Sequence, residues 1–219
     1  MPQIIDHNSE WYKFISKHYE KGDIYNGVFY YSKEICKFFV PNIKTDRNWI
    51  TVNTPTHGFD HSIVFIHNNR RTEQLYDWLK GFKDLILVCG VPSTMKKVAH
   101  LGTPIYLPLS VDVEEVKKYK AEKTREEAFA GRLPKLIGNR IPKNCDIIGG
   151  ISREMMLERM ARYKKIYAVG RTAIEAKILG CEIGVYDEYF PDPSVWKILD
   201  SRDAVKILQK ELDKAEGLK

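Results

Sequence analysis

The chain lacks several features that define large classes of protein. None of its 219 residues belongs to a run of eighteen consecutive apolar residues, so no membrane-spanning helix is predicted. The first twenty residues are too polar for a signal peptide, which predicts a cytoplasmic protein. The four cysteines are widely scattered and form no Cys-x-x-Cys pair, so the sequence predicts neither a zinc site nor a redox motif.

Three catalytic fingerprints are also missing. The chain has no G-x-S-x-G nucleophile elbow, no G-x-x-x-x-G-K-[ST] phosphate loop and no G-x-G-x-x-G dinucleotide motif. These absences remove support for a kinase, another NTPase, a serine hydrolase or a standard dehydrogenase.

The chain has an ordinary globular composition with more basic than acidic residues. Hydrophobic residues make up 43% and charged residues 29%, and the length suits one large domain or two small ones. The net charge of +6 favours anionic partners such as nucleotides, phosphosugars or nucleic acid. A modestly basic surface without a ligand explains this charge equally well.

The first half alternates apolar segments with segments of helical periodicity. After an opening helix at 11–19, five segments are predicted to be strands: GVFYYS (27–32), WITVNT (49–54), SIVFIH (62–67), LILVCG (85–90) and PIYLPL (104–109). Helices are predicted in RRTEQLYDWLKGF (70–82) and STMKKVAHL (93–101), with Ser93 or Thr94 as the N-cap of the second. This alternation indicates βαβ units and a parallel sheet.

A charged segment, VEEVKKYKAEKTR (113–125), separates this half from a second alternating series. That series has predicted strands in EAFAGR (127–132), CDIIGG (145–150), KIYAVG (165–170) and CEIGVYD (181–187). Helices are predicted in 152–163, with Ser152 as N-cap, in 172–180 and in the tail 201–217. The predicted fold is therefore α/β, with two Rossmann-like domains, 1–112 and 113–219, facing a cleft.

The predicted strand ends of the second half carry glycines and basic residues. Ligands of parallel sheets bind beyond the carboxyl ends of the strands, and glycine, helix N-termini and basic side chains together suit a pyrophosphate. The residues concerned are Arg132, Lys135, Gly170, Arg171 and Thr172. Glu175, early in the following helix, could accept hydrogen bonds from a ribose or simply complement the helix dipole. A solvated turn explains Arg132 and Lys135 about as well.

The first half offers fewer candidates. His67 follows a predicted strand and could act as a general base or a substrate contact, although a lone histidine there is more often structural. The segment 53–61 contains His57, Asp60 and His61, but their spacing is not a recognised metal pattern. No metal site is predicted.

Three segments together resemble the GT-B-fold glycosyltransferases, in particular the glycosyl transferases group 1 family. IYLPLSVDVEEV (105–116) resembles the segment that closes the first domain of that family, and FAGRLPK (129–135) resembles the first strand of the second domain. The block 153–187 resembles the family's helix, strand, Glu-Ala helix and strand. The resemblance covers Leu85 to Asp187, about half of the chain.

The resemblance implies a transferase that uses a nucleotide-sugar donor, without another cofactor, on an unidentified acceptor. Arg132 and Lys135 would hold the diphosphate and Glu175 the ribose, with Gly170, Arg171 and Thr172 beside them. His67 or Asp60 would be the base of an inverting reaction.

This sequence departs from the family at position 167, where many retaining members carry a glutamate and this chain has Tyr167. The chain is also shorter than is usual for the fold. Two alternatives remain open: a non-catalytic nucleotide- or sugar-binding module of the same fold, or a sugar transferase that acts on nucleic acid.

Overall fold

The computed structural model describes residues 1–9, 27–52, 58–67, 77–131, 141–186 and 192–217. Within this part, the chain divides into two compact units. The first contains residues 1–9, Val28–Pro108 and the C-terminal segment from Ser201, and the second contains Gly27 and Leu109–Asp200. Each unit is built on its own parallel sheet.

The first sheet has five strands in the order β1-β2-β3-β4-β5, so each strand pairs with the next one along the chain. The strands are β1 (Ile4–Ile5), β2 (Asn48–Ile50), β3 (Ser62–Ile66), β4 (Leu85–Cys89) and β5 (Thr103–Tyr106). The second sheet has the order β7-β6-β8-β9, and its strands are β6 (Arg125–Ala130), β7 (Asp146–Ile148), β8 (Tyr163–Tyr167) and β9 (Glu182–Gly184).

The described helices are α1 (Gly27–Glu34), which continues as a π-helical segment Ile35–Phe39, α2 (Pro92–Val98), α3 (Val113–Lys117), α4 (Arg153–Met160), α5 (Arg171–Ile178) and α6 (Ser201–Ala215). Residues 77–79 are also helical, and Pro193–Val195 form a 3₁₀ turn. The mixed α/β class with parallel sheets is confirmed. The predicted cleft stays a prediction.

The segment GVFYYS was expected to be a strand, and this expectation is wrong because it forms α1. Tyr31, Ile35 and Phe39 are spaced four residues apart and are all buried, which places them on one helical face. Aromatic and β-branched residues favour strands locally, but burial of this face overrides that preference. The first strand is instead Ile4–Ile5, which is too short to show an alternating pattern.

Two predicted helix N-caps can be compared with the structure, and one of them is confirmed. Ser152 caps α4 by accepting a hydrogen bond from the Met155 backbone at 3.3 Å, as predicted. The N-cap of α2 is Val91 rather than Ser93 or Thr94, because Pro92 occupies the first turn and starts the helix earlier. The opening helix predicted at 11–19 lies outside the described residues.

The C-terminal helix was assigned to the second domain, but the structure places α6 with the first unit. Its apolar side chains Ala204, Leu208 and Leu212 are buried. Ser201 Oγ donates to Glu34 Oε2 at 3.0 Å at one end of the helix. The units divide at Pro108 and Leu109, four residues before the boundary expected from the sequence.

Within the described part of the chain, no helix combines the length and the apolar character that crossing a membrane requires.

Candidate functional site

The strand order of the second sheet reverses beside β6. The chain passes from β6 to β7 on one side and then crosses to β8 and β9 on the other. Such a reversal leaves a crevice at the carboxyl ends of the two diverging strands, and ligands of open parallel sheets bind there. In this unit the crevice is flanked by Gly131, after β6, and by the turn that comes after β8.

Glycine is required on both sides of this crevice. Gly131 has φ of 151°, and Gly170, the N-cap of α5, has φ of 63° and ψ of −139°. Residues other than glycine rarely adopt these backbone angles. A Cβ at Gly170 would meet only Leu109 Cδ1, at 4.0 Å, so the backbone rather than crowding selects glycine.

The first residue of α5 pairs with a carboxylate one turn later. Arg171 Nε lies 3.1 Å from Glu175 Oε1, and Glu175 is fully buried. Arg153, the first residue of α4, reaches the same oxygen, with Nε at 3.1 Å. The exposed fractions of Arg153 and Arg171 are only 6% and 7%. One carboxylate therefore fixes the first residues of two helices.

The three residues of this Arg153–Glu175–Arg171 cluster comprise two guanidinium groups and the carboxylate that both of them contact. It lies where two helix N-termini also contribute positive partial charge. Sequence reasoning singled out Arg171 and Glu175 but missed Arg153, because 22 residues separate it from its partner. The Glu175 carboxylate is buried against the two arginines. Contact between Glu175 and a ribose stays a prediction.

The structure describes only some of the other residues predicted to bind the nucleotide-sugar donor. Arg132 and Lys135 lie outside the described residues. Thr172 is buried beside Arg171. Tyr167, at the position where the resembled family's retaining members carry a glutamate, donates its hydroxyl hydrogen to Glu127 Oε2 at 2.9 Å. Gly184 makes room for the Tyr167 ring, because a Cβ there would lie 2.4 Å from a ring carbon.

The two candidate bases of the first unit are not brought together. His67 follows the carboxyl end of β3, whereas Asp60 precedes the amino end and accepts the Lys83 backbone N–H at 2.7 Å. Seven residues along an extended strand separate them by roughly 20 Å. They therefore cannot serve one reaction centre within this unit.

His67 is held by its surroundings in a defined tautomer. Its Nε2 lies 2.6 Å from the Thr51 carbonyl oxygen, which can only accept, so Nε2 carries the hydrogen and Nδ1 is the basic nitrogen. Burial lowers the pKa of His67 to about 4, so the ring is neutral at pH 7. The Tyr31 ring packs edge-on against it at 5.5 Å.

A second polar group at the carboxyl ends of the first sheet was missed by sequence reasoning. His7 lies just beyond β1, and its backbone N–H donates to Ser32 Oγ at 3.1 Å. Ser32 Oγ also lies 2.6 Å from Thr51 Oγ1, and both hydroxyl-bearing residues are fully buried. Because β1 has only two residues, it gives no periodic signal that would have marked His7 as a residue at a strand end.

A charged network occupies the opposite, amino end of the first sheet. His61 Nδ1 lies 2.5 Å from Asp84 Oδ2, and its Nε2 lies 3.0 Å from Asp46 Oδ1. Arg47 donates to Asp84 Oδ1 at 3.0 Å and to Glu216 Oε1 at 2.6 Å. Hydrogen bonds to Asp84 and Asp46 raise the pKa of His61, and those to His61 lower the pKa of both carboxyl groups.

We expect His61 to make stability depend on pH. A raised pKa in the folded state means that its contribution is complete below its usual value of 6.5 and is lost as pH rises through the folded pKa. The His61 side chain is 42% exposed, so its pairing with Asp84 contributes at most about 1 kcal/mol. The free energy of unfolding, measured by urea denaturation at several pH values, should fall more steeply above pH 6.5 than in His61→Asn.

Asparagine is the matched replacement because His61 has φ of 51°, which asparagine tolerates better than most residues. Parallel pH profiles for the two proteins would contradict this expectation.

A cavity of about 510 Å³ lies at the amino end of the second sheet. Tyr163 donates its hydroxyl hydrogen to Asp146 Oδ2 at 2.7 Å, and Arg125 donates to the same oxygen at 3.2 Å. This end of a parallel sheet is not where ligands usually bind. Arg125 is therefore a useful control for residues at the carboxyl ends.

Comparison of the chain with protein-family models, with curated proteins and with solved structures finds no match. The likeness to glycosyltransferases thus rests on the short sequence motifs alone, and the activity it implies is a proposal.

Proposed function

We propose that the protein transfers a sugar from a nucleotide-sugar donor to an acceptor, and that its second unit binds the donor diphosphate. The observation that carries the proposal is the reversal of strand order between β6 and β8, with Gly131 after β6 and Gly170 at the N-terminus of α5. Glycines allow the backbone to approach a phosphate, and backbone N–H groups at a helix N-terminus bind anions.

The charges near this crevice support an anionic ligand. Arg171 and Arg153 begin the two helices that come after β8 and β7, and Glu175 orients both guanidinium groups. Arg132, which would hold the diphosphate if the resemblance to glycosyltransferases is followed, directly follows Gly131 in the chain. In sugar transfer the leaving nucleoside diphosphate gains negative charge, which positive groups of this kind stabilise.

Of the two candidate bases, only His67 has a role in the proposed transfer, and this role concerns the acceptor. The basic nitrogen of His67 is Nδ1, which can accept a hydrogen bond from a hydroxyl group. A pKa of about 4 makes His67 a weak base near neutral pH, so we propose that it orients the acceptor.

One observation favours a second candidate, a nucleotide- or sugar-binding module that does not catalyse transfer. The Tyr167 side chain fills the position of the second glutamate of retaining family members, and its hydroxyl group is engaged by Glu127. This replacement leaves no carboxylate at that position. Binding of a nucleotide sugar without release of nucleoside diphosphate would identify this candidate.

We expect the thermal stability of the protein to rise with one nucleoside diphosphate or nucleotide sugar from a panel. A ligand at a hundredfold excess over its dissociation constant stabilises the fold by about 2.7 kcal/mol. Arg132→Ala should lose the shift because it removes a positive group from the diphosphate. Arg125→Ala, at the other end of the same sheet, should keep it.

The absence of a shift with every member of the panel would contradict the donor site. An equal shift in Arg132→Ala and the wild type would place the ligand elsewhere. Once the nucleotide is known, release of nucleoside diphosphate in the presence of candidate acceptors separates transferase from binding module.

A further inference from the structure

Three different metal-binding side chains meet at the carboxyl end of the first sheet. Asp6 and His7 follow β1 directly, and Cys36 lies in the π-helical segment after α1. A carboxylate oxygen, an imidazole nitrogen and the thiol sulfur all lie within 4.8 Å of one another, and each residue is half-buried. No other group of this kind is found among the residues that the structure describes.

We propose that Asp6, His7 and Cys36 form a zinc-binding site with three protein ligands. Tetrahedral zinc with usual bond lengths separates a sulfur ligand from an oxygen ligand by about 3.6 Å, and a nitrogen from an oxygen by about 3.4 Å. Cys36 Sγ lies 3.6 Å from Asp6 Oδ2, and His7 Nδ1 lies 3.9 Å from the same oxygen. Both distances are within about half an ångström of the spacing in a tetrahedral zinc site.

The combination of donor atoms selects the metal. Thiolate and imidazole ligands suit zinc and other late first-row ions, whereas magnesium and calcium prefer oxygen ligands only. Three protein ligands leave one tetrahedral position for water or for a substrate oxygen, as in catalytic zinc sites. The site therefore binds a divalent transition ion with one exchangeable position.

Neighbouring groups orient the ligands, as outer-shell groups do in metal sites. The Asn8 backbone N–H donates to Asp6 Oδ1 at 2.9 Å, while Oδ2 lies beside Cys36. The Phe29 ring packs edge-on against His7 at 5.3 Å. Without metal, the Cys36 thiol donates to Asp6 Oδ2; zinc takes the place of that proton, which is released to water as the sulfur–zinc bond forms.

The test is metal binding by the full chain, which needs no assumption about the proposed transferase activity. After treatment with a chelator, the protein is dialysed against zinc and its metal content is measured. We expect one zinc per chain. Cobalt should give the intense visible bands of tetrahedral coordination together with a sulfur-to-cobalt charge-transfer band in the near ultraviolet.

Asp6→Asn, His7→Gln and Cys36→Ser should each weaken zinc binding by more than the roughly 10–100-fold that loss of an outer-shell group costs. Cys145→Ser is the matched control, because Cys145 is also a half-buried free cysteine but lies in the second unit. It should bind zinc as the wild type does. Circular dichroism of each metal-free variant shows whether it is folded, and any folded ligand variant suffices for the test.

Three results would overturn the proposal: no zinc uptake by the wild type, equal affinity in the folded ligand variants, or a cobalt spectrum without the sulfur band. Failure of nucleotide binding would leave this site unaffected, because none of its residues belongs to the proposed donor site.

Discussion

Replacement of Glu175 by alanine is expected to lower the free energy of unfolding by about 3–5 kcal/mol. The carboxylate is fully buried and pairs with Arg153 and Arg171, whose side chains are also buried. Its removal takes away a carboxylate that both guanidinium groups contact in a largely buried site. Urea denaturation followed by tryptophan fluorescence and circular dichroism measures the loss, and the buried Trp196 reports on the second unit.

The matched control is Glu182→Ala in the same unit. The Glu182 side chain is 74% exposed and lies 3.7 Å from Lys165, so its loss should cost less than about 1 kcal/mol. Glu175→Gln, which keeps the volume and removes the charge, should also destabilise the protein. A cost for Glu175→Ala no greater than for Glu182→Ala would show that Glu175 does not hold the two arginines in place.

Replacement of Phe65 by alanine is expected to destabilise the first unit by about 3–5 kcal/mol. Phe65 is 1% exposed on β3 and lies at the centre of an aromatic cluster. Its ring centroid is 5.8 Å from that of Phe39, 6.0 Å from Tyr31 and 6.3 Å from Trp49. The variant loses the transfer energy of the ring and also creates a cavity beneath α1 and its π-helical continuation.

Ile207→Ala is the control, because Ile207 is 38% exposed on α6 of the same unit. Its effect should stay within about 0.5 kcal/mol. If urea denaturation shows that Phe65→Ala lowers the free energy of unfolding no more than Ile207→Ala does, the expectation is contradicted and the aromatic cluster contributes little to stability.

The central strands of the fold were predictable because their signal is local. β3 and β4 are buried along their whole length and appear in the sequence as continuous apolar runs. α5 was predictable from its helical periodicity and from the glycine before it. Gly170 could be singled out in advance because it follows a predicted strand, where glycine lets the backbone approach a ligand, and its φ of 63° was added by the structure.

α1 was not predictable from local preference. Its aromatic and β-branched residues suit a strand, and only the packing of Tyr31 and Phe39 against Phe65 selects the helix. The position of α6 depends equally on distant contacts, such as the hydrogen bond from Ser201 to Glu34, 167 residues away.

In the candidate sites, too, some features follow from the local sequence and others from contacts between distant residues. The sequence by itself determined the α/β class, the parallel sheets and the presence of Arg171 and Glu175 one helical turn apart, because each of these depends on neighbours within a few residues. Only the tertiary structure decided that Arg153 shares Glu175 with Arg171, and that Cys36 meets Asp6 and His7. Those contacts join residues 22 and 30 positions apart, and chain folding rather than local pattern sets such distances.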